Sequence, residues 1–363
     1  MNNWTEWNKK SYDYRQAELQ NLLDQSNGNL AEKMIMLYDQ QKAIGFIEDD
    51  LSEVKRCWVF NPSDDKKSFL IQYNPRRADR QKGSKVILPK GVDIINQGCF
   101  LCEPNILWQQ RGLEMSYRIE VNQNSYLCLC NPFPLMPVHM TIASSIHESQ
   151  RWIENKKQDR TKRIINDLLK IVSQTPDFVA FYNGLGAGAT IPTHLHFQFF
   201  KRPDGQVLYP LERAVKRQVM QGHHVPFRVE EYPITCIYFR GCRDEICDQV
   251  VKCISAWTEA CEYSENLSAN IIAVLEPDLK KDNKNIYSVY LIPRDTNFSV
   301  SPGRKGVVGG LEVLGEIVFS DPKEFERLEA GLINYDYVCQ ILRSIEAQTV
   351  HEFLEQTKNT LRV

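Results

Sequence analysis

The segment that most constrains this chain runs from Phe178 to Phe200 and reads FVAFYNGLGAGATIPTHLHFQFF. An apolar, strand-like entry (Phe178 to Tyr182) meets a loop carrying Gly184, Gly186 and Gly188, and strict alternation follows. Successive side chains of a strand point to opposite faces, so His194, His196 and Gln198 share one side while Leu195, Phe197 and Phe199 share the other. Three polar groups therefore project beside a loop with little side-chain bulk. Glycines let backbone N–H groups approach an anion closely, and an imidazole supplies a nucleophile or a proton, so the pattern suits a phosphate site. Two histidines at i and i+2 also read as a zinc pair, or as plain residues of a half-exposed sheet face. Economy weighs against the plain reading: the chain has only seven His, and two stand directly after the glycine loop.

Composition narrows the classes. A chain of 363 residues, 42% hydrophobic and 25% charged, suffices for two domains or one large duplicated domain of a soluble protein. With 44 Lys and Arg against 46 Asp and Glu, nothing favours a nucleic-acid or acidic-membrane partner, so any phosphate binding is local. The opening residues, MNNWTEWNKKSYDYRQ, lack the layout of a signal peptide, and no apolar run approaches the roughly 20 residues that span a bilayer. Eleven cysteines without regular spacing predict reduced thiols and a cytoplasmic location.

Taken in order, residues 1–55 read as a helical extension, followed by strands at Trp58–Phe60 and Phe69–Tyr73. The run Asn74-Pro-Arg76-Arg77-Ala-Asp-Arg80 is either a solvated loop or a set of anion contacts, for which the planar guanidinium fork is suited. Cys99 and Cys102 form a Cys-x-x-Cys on a turn. No thioredoxin-like pattern surrounds it, which leaves a metal site or coincidence. Three strands follow over 115–144, then a helix from His147 to about Ser173. Beyond Lys201 and Arg202 come an amphipathic piece over Leu208–Met220 and a loop with His223 and His224. From Tyr232 a second cycle of strand, helix, strand and strand appears without a His-x-His, and Pro322–Val363 is largely helical. The glycine loop opens a strand and not a helix, so it is no dinucleotide fingerprint. The expected fold is α+β with antiparallel sheets, duplicated in one chain: 1–55 extension, 56–205 catalytic half, 206–363 second half plus C-terminal helices.

His194-Leu-His196-Phe-Gln198 resembles the histidine-triad motif in the branch where Gln replaces the third His. That branch holds galactose-1-phosphate uridylyltransferase, diadenosine tetraphosphate phosphorylase and the GDP-hexose phosphorylases; Asn183 to Thr190 is most similar to the last. The resemblance implies a histidine-triad-like fold duplicated as in the uridylyltransferases, and nucleotidyl transfer through a nucleotidyl-histidine. It makes His196 the nucleophile, Gln198 a donor to a phosphoryl oxygen, and His194 an orienting residue or zinc ligand. It further implies that Asn183 and the backbone from Gly186 through Gly188 to Thr190 cradle phosphates. Asn74, Arg76 and Arg77 become substrate contacts, with Lys201 and Arg202 against the leaving phosphate. A structural zinc would be held by Cys99, Cys102, His139 and His194. Asn131 to His139 is similar to the family's nucleotide-pocket segment, and Gly309 to Val318 to its C-terminal strand. The implied reaction is phosphorolysis of a GDP-hexose to GDP and hexose 1-phosphate. Dinucleoside polyphosphate phosphorolysis, sugar-1-phosphate nucleotidyl transfer and a non-catalytic nucleotide binder are the alternatives. The expected partners are a nucleotide sugar or dinucleotide and inorganic phosphate, with no nucleic acid and no membrane; a homodimer is left open.

Overall fold

Two successive stretches of chain build the same pattern and meet edge to edge. The computed structural model describes residues 6–78, 94–107, 112–152, 158–205, 208–218, 226–281, 284–298 and 307–360. After the hairpin of β1 (Lys55–Asn61) and β2 (Asp64–Tyr73) come β3 (Ser116–Val121), β4 (Asn124–Cys130), β5 (Met140–Ser144), a helix over Gln158–Val172, β6 (Phe178–Asn183) and β7 (His196–Lys201). The second stretch repeats that order with β8 (Lys216–Gln218), β9 (Phe227–Val229), β10 (Ile237–Gly241), a helix over Arg243–Ala260, β11 (Leu267–Lys281) and β12 (Lys284–Asp295). In space the strands run β3-β4-β5-β7-β6-β11-β12-β10-β9-β8. The order is symmetric about the antiparallel β6–β11 pair, where Asn183 faces Asn270 and Phe181 faces Ile272. The expected α+β architecture with large antiparallel sheets is the one observed. The β1–β2 hairpin stands apart from this sheet, because β2 pairs in parallel with β13 (Glu316–Phe319) from the C-terminal region.

Alternation decides what each sheet face covers. Phe197 and Phe199 of β7 join Tyr182, Ile271, Val289 and Leu291 in one core with the two long helices. Phe200 joins Phe181, Ile272, Tyr290 and Ile292 in a second core beneath the small sheet. Each such side chain, fully buried, contributes roughly 1.5–3 kcal/mol. The outer edge of β3 is closed by the helix Glu6–Gln25. Gln16 and Gln20, one turn apart, each exchange two hydrogen bonds with the backbone of Ser116 and Arg118 at 2.6–3.1 Å. Two side-chain amides thus stand in for a neighbouring strand and block edge pairing.

Three expectations are corrected. The helix expected from His147 starts at Gln158 among the described residues, and 145–152 is irregular. The cause is long-range pairing: Leu195 N–H donates to the Glu148 carbonyl and Gln150 N–H to the Pro192 carbonyl, which competes with local helix bonds. Leu208–Met220 yields one helical turn, Pro210–Arg213, and the short β8. In Gly309–Val318 the first part is a short helix, Gly310–Leu314, ended by left-handed Gly315 at φ 108°, and only the remainder is strand. Arg80, His223 and His224 lie outside the described residues.

Glu114, just before β3, is buried, and burial pushes its carboxyl up to about 8. The folded state therefore holds this proton more tightly than the unfolded chain. The resulting stability is fully present below the ordinary carboxylate range and is lost as pH rises through about 8. Urea midpoints of the wild type should fall between pH 5 and pH 9, roughly the span between the two titrations, whereas Glu114→Gln should flatten the decline; an unchanged slope would refute the assignment.

Candidate active site and metal centre

His196 opens β7 and is almost fully buried at 2% exposure. Its Nδ1 lies 2.8 Å from the His194 carbonyl oxygen. A carbonyl only accepts, so Nδ1 carries the proton, and in the neutral imidazole the lone pair is then on Nε2. The contact is local, made by a residue two positions back, and it holds the ring in the tautomer a nucleophile requires. A positive charge developing on the ring would be met by the same carbonyl.

Gln198 is oriented by the same kind of argument. Leu135 N–H donates to His139 Nδ1 at 3.1 Å, so the His139 proton sits on Nε2, which points at Gln198 Oε1 at 3.3 Å. With its oxygen facing His139, Gln198 directs its NH2 group elsewhere. His139 is aimed by a strained turn: Val138, a β-branched residue, has φ +49°, a conformation costing on the order of 1–2 kcal/mol. The turn is held from both sides. Gln72 and Asn74 donate to the Leu135 and Pro134 carbonyls at 3.0 and 3.2 Å, Arg77 donates to the Phe133 carbonyl, and Lys201 N–H to the Pro137 carbonyl at 3.0 Å.

The glycine loop sits where β6 and β7 diverge. Gln150, fully buried, spans the gap: Nε2 donates to the carbonyls of Asn183 at 2.8 Å and His196 at 2.9 Å, and Oε1 accepts from His196 N–H at 2.8 Å. Gly186 (φ +71°) and Gly188 (φ +98°) are left-handed, and both press on the second half. A Cβ on Gly186 would come within 2.6 Å of Thr296 Cα, and one on Gly188 would overlap Gly309.

On the other side of His194 lies a four-residue cluster. The ligand atoms of Cys99, Cys102, His147 and His194 all fall within 4.8 Å of one another. His194 Nδ1 is 3.4 Å from Cys99 Sγ and 3.6 Å from Cys102 Sγ, and His147 Nδ1 is 3.2 Å from Cys102 Sγ. Tetrahedral coordination at ordinary metal–sulfur and metal–nitrogen lengths puts such pairs about 3.3–3.8 Å apart. His194 Nε2 donates to the Ser144 carbonyl at 2.7 Å, leaving Nδ1 as the unprotonated donor, and burial lowers its pKa. Burial pushes the Cys99 thiol up to about 11, a preference that a bound cation would reverse. The turn before Cys99 is itself strained, with Asn96, Gln97 and Gly98 all at positive φ, and Asn105 Nδ2 braces it at the Ile95 and Cys99 carbonyls. This corrects the expected ligand set: His139 is committed to Leu135 and Gln198, and His147 takes its place.

Three comparisons bear on this arrangement. Residues 36–201 match a family model described as a domain of unknown function, DUF4922. No curated protein matches the sequence. Among solved structures, yeast Ap4A phosphorylase Apa2 superposes with a TM-score of 0.58 at 14% identity, covering 88% of this chain and 95% of that one. Its complexes with Ap4A and with AMP superpose at 0.56, with 14% and 15% identity, covering 88% of this chain and 97% of theirs. The chain shares its fold with yeast Ap4A phosphorylase.

Within this shared fold the structure gathers some of the expected site residues and separates others. His196, Gln198, Asn183 and the glycine loop converge, with the cysteines and His194 alongside. Asn74 is fully buried and holds the Phe133–Leu135 turn together with Arg77, so both reach the site through that turn. Arg76 is half-exposed and pairs with Glu53 at 2.8 Å. Thr190 is exposed. Lys201 lies on the opposite strand face from His196 and, at five residues' rise, about 16 Å away. Arg202 is taken up by a bidentate pair with Glu212 at 2.7 Å. A cavity of about 530 Å³ lies between β1 and the C-terminal helices, lined by Trp58, Phe60, Phe325 and Tyr335 among others, and no residue of the histidine strand borders it. Sequence reasoning missed His147 and Gln150. The available signal was that both follow β5 directly, at the level of the His194–His196 turn.

Metal analysis of the purified chain should find about one ion per molecule. Cys99→Ser and His147→Ala should lose it and His139→Ala should retain it; loss in His139→Ala but not in His147→Ala would restore the original ligand set.

Proposed function

We propose that the protein is a nucleotidyl phosphorylase working through a nucleotidyl-His196 intermediate. The observation that carries this reading is the His196 tautomer, with Nδ1–H held by the His194 carbonyl so that Nε2 is the nucleophilic atom. His196 Nε2 attacks the α-phosphorus of the nucleotide, and the bond from that phosphorus to the bridging oxygen breaks. The leaving group departs with the bond's electron pair: a nucleoside triphosphate from a dinucleoside tetraphosphate, a hexose 1-phosphate from a nucleoside diphosphate hexose. Inorganic phosphate then attacks the same phosphorus, the P–N bond breaks, and a nucleoside diphosphate leaves. Gln198 NH2, Asn183 and the backbone N–H groups from Gly186 to Thr190 stabilise the phosphoryl oxygens. Gln198 cannot act as a general acid, which suits a displacement whose leaving group is already anionic.

A dinucleoside polyphosphate is the favoured substrate, supported by the fold shared with an Ap4A phosphorylase solved with Ap4A and with AMP. A GDP-hexose is the second reading, favoured by the Asn183–Thr190 loop. Cys99, Cys102, His147 and His194 would hold zinc in a closed, structural site. When bound, the ion supplies rigidity to the turn that carries the His194 carbonyl. We place the protein in the cytoplasm on its reduced cysteines, all eleven of which are free; no helix among the described residues is long and apolar enough to cross a membrane.

Incubation with labelled Ap4A or GDP-hexose should leave acid-labile, base-stable label on the wild type and none on His196→Ala, at equal melting temperature. Undiminished labelling of the variant would remove His196 as nucleophile. His139→Phe deletes the donor to Gln198 Oε1 and should lower kcat about tenfold, the worth of one oriented hydrogen bond; unchanged turnover would show that Gln198 needs no such partner.

A further inference from the structure

Behind the glycine loop two asparagines and an arginine form a chain in which each member dictates the orientation of the next. Arg294, near the end of β12, is fully buried. It donates through Nη1 to Asn270 Oδ1 at 2.6 Å and the Val308 carbonyl at 3.0 Å, and through Nε to the Ile345 carbonyl at 3.2 Å. A guanidinium has donors only, so the Asn270 atom facing it is the carbonyl oxygen. Asn270 then turns its NH2 group the other way and donates to Asn183 Oδ1 at 2.8 Å and to the Ala187 carbonyl at 2.6 Å. Asn183, presenting its oxygen to Asn270, points its own NH2 away from Asn270 and along the backbone of Gly309. The missing side chain of Gly309 leaves room there, since an added Cβ would stand 3.3 Å from Asn183 Nδ2.

We propose that Arg294 and Asn270, both supplied by the half without the histidines, are positioning residues that turn Asn183 Nδ2 toward the transferred phosphoryl group. The inference rests on the phosphorylase reading for what Asn183 meets, and on geometry alone for how Asn183 is turned. Packing does not call for a guanidinium here. Arg294 Nη2 is buried without a hydrogen-bond acceptor among the described residues, a cost that an aliphatic side chain would avoid. What an aliphatic side chain lacks is the power to decide which end of Asn270 faces it. The same amide also fixes the loop, because the Ala187 carbonyl drawn onto Asn270 orients the peptide units on either side.

The test is a double-mutant cycle on the full chain, with Ap4A and inorganic phosphate as probes. Asn270→Asp preserves shape and gains an ion pair with Arg294, but a carboxylate cannot donate, so Asn183 must turn its NH2 inward. The expected result is a melting temperature within a few degrees of the wild type, the ion pair with Arg294 offsetting the lost bond to the Ala187 carbonyl, KM within about twofold, and kcat lowered by roughly tenfold to a hundredfold, as for loss of one preorganised donor. In an Asn183→Ala background the same substitution should lower kcat by at least about threefold less than in the wild type, because only the bond to the Ala187 carbonyl is left to lose. Arg294→Met should follow the same pattern. An equal loss of kcat with and without Asn183 would assign Asn270 a structural role and overturn the proposal. If the wild type turns over neither dinucleotides nor nucleotide sugars, the phosphorylase reading fails, and the relay is then read from side-chain amide protons by heteronuclear NMR. Slow exchange of the Asn270 amide protons that becomes fast in Arg294→Met upholds the relay; unaltered exchange sinks it.

Discussion

The antiparallel pairing of β6 with β11 is the contact on which the remaining structure depends. It fuses two five-stranded halves into one sheet, so both cores continue across the junction and neither half presents an open edge at its centre. Its register also places Asn270 opposite Asn183 at the point where β6 gives way to the glycine loop. A slip by one residue would send Asn270 to the other face and take the loop's support with it. Fold and site are therefore specified by the same set of backbone hydrogen bonds.

A second regularity follows. Side-chain amides are ambidextrous, and a site that needs their NH2 groups must pin their oxygens. Gln198 is pinned by His139, itself set by Leu135 N–H, and Asn183 is pinned by Asn270. Gln150 uses both ends, joining the backbones of Asn183 and His196 where the strands part. The strain at Val138 fits this picture, because a left-handed β-branched residue persists only where its surroundings determine it several times over. Gln72 of β2 and Asn74 just after it supply that redundancy. Gln72 is in turn tied to the buried carboxylate of Glu316, which Arg56 also reaches, so the small three-stranded sheet serves as an outer brace for the turn.

Much of this was legible in the sequence, for physical reasons. A period of two over His194–Phe199 has a single structural meaning, and the structure buries Leu195, Phe197 and Phe199 as that period requires. The repeated order of strand, helix, strand and strand was legible because each element is long enough to show its own period. The glycines were read for what they offer an anion. The structure adds that Gly186 and Gly188 are where the second half makes its closest approach, a constraint invisible without the β6–β11 register. His147 and Gln150 were lost because local propensity favoured helix, whereas backbone bonds from 148 and 150 to the His194 turn won. Asn74 and Arg77 were recognised as special, but their partners are carbonyls sixty residues or so further on, a distance that pattern reading cannot bridge.

The placement of His194 links the two centres more closely than either reveals alone. Its ring faces the thiols and its carbonyl holds His196 Nδ1, so one residue belongs to the Cys and His cluster through its side chain and to the proposed nucleophile through its backbone. An ion bound by Cys99, Cys102, His147 and His194 would fix the His194 ring, and with only one backbone step between ring and carbonyl it would fix the acceptor that selects the His196 tautomer. The four ligands come from the turn before β3, the irregular segment after β5 and the turn before β7. No strand pairing holds these pieces in place, and at the same end of the sheet the second half carries Arg294 near the close of β12. Each half thus braces that end of the sheet by polar means, one with a Cys and His cluster and the other with a buried guanidinium. The glycine loop lies between the two.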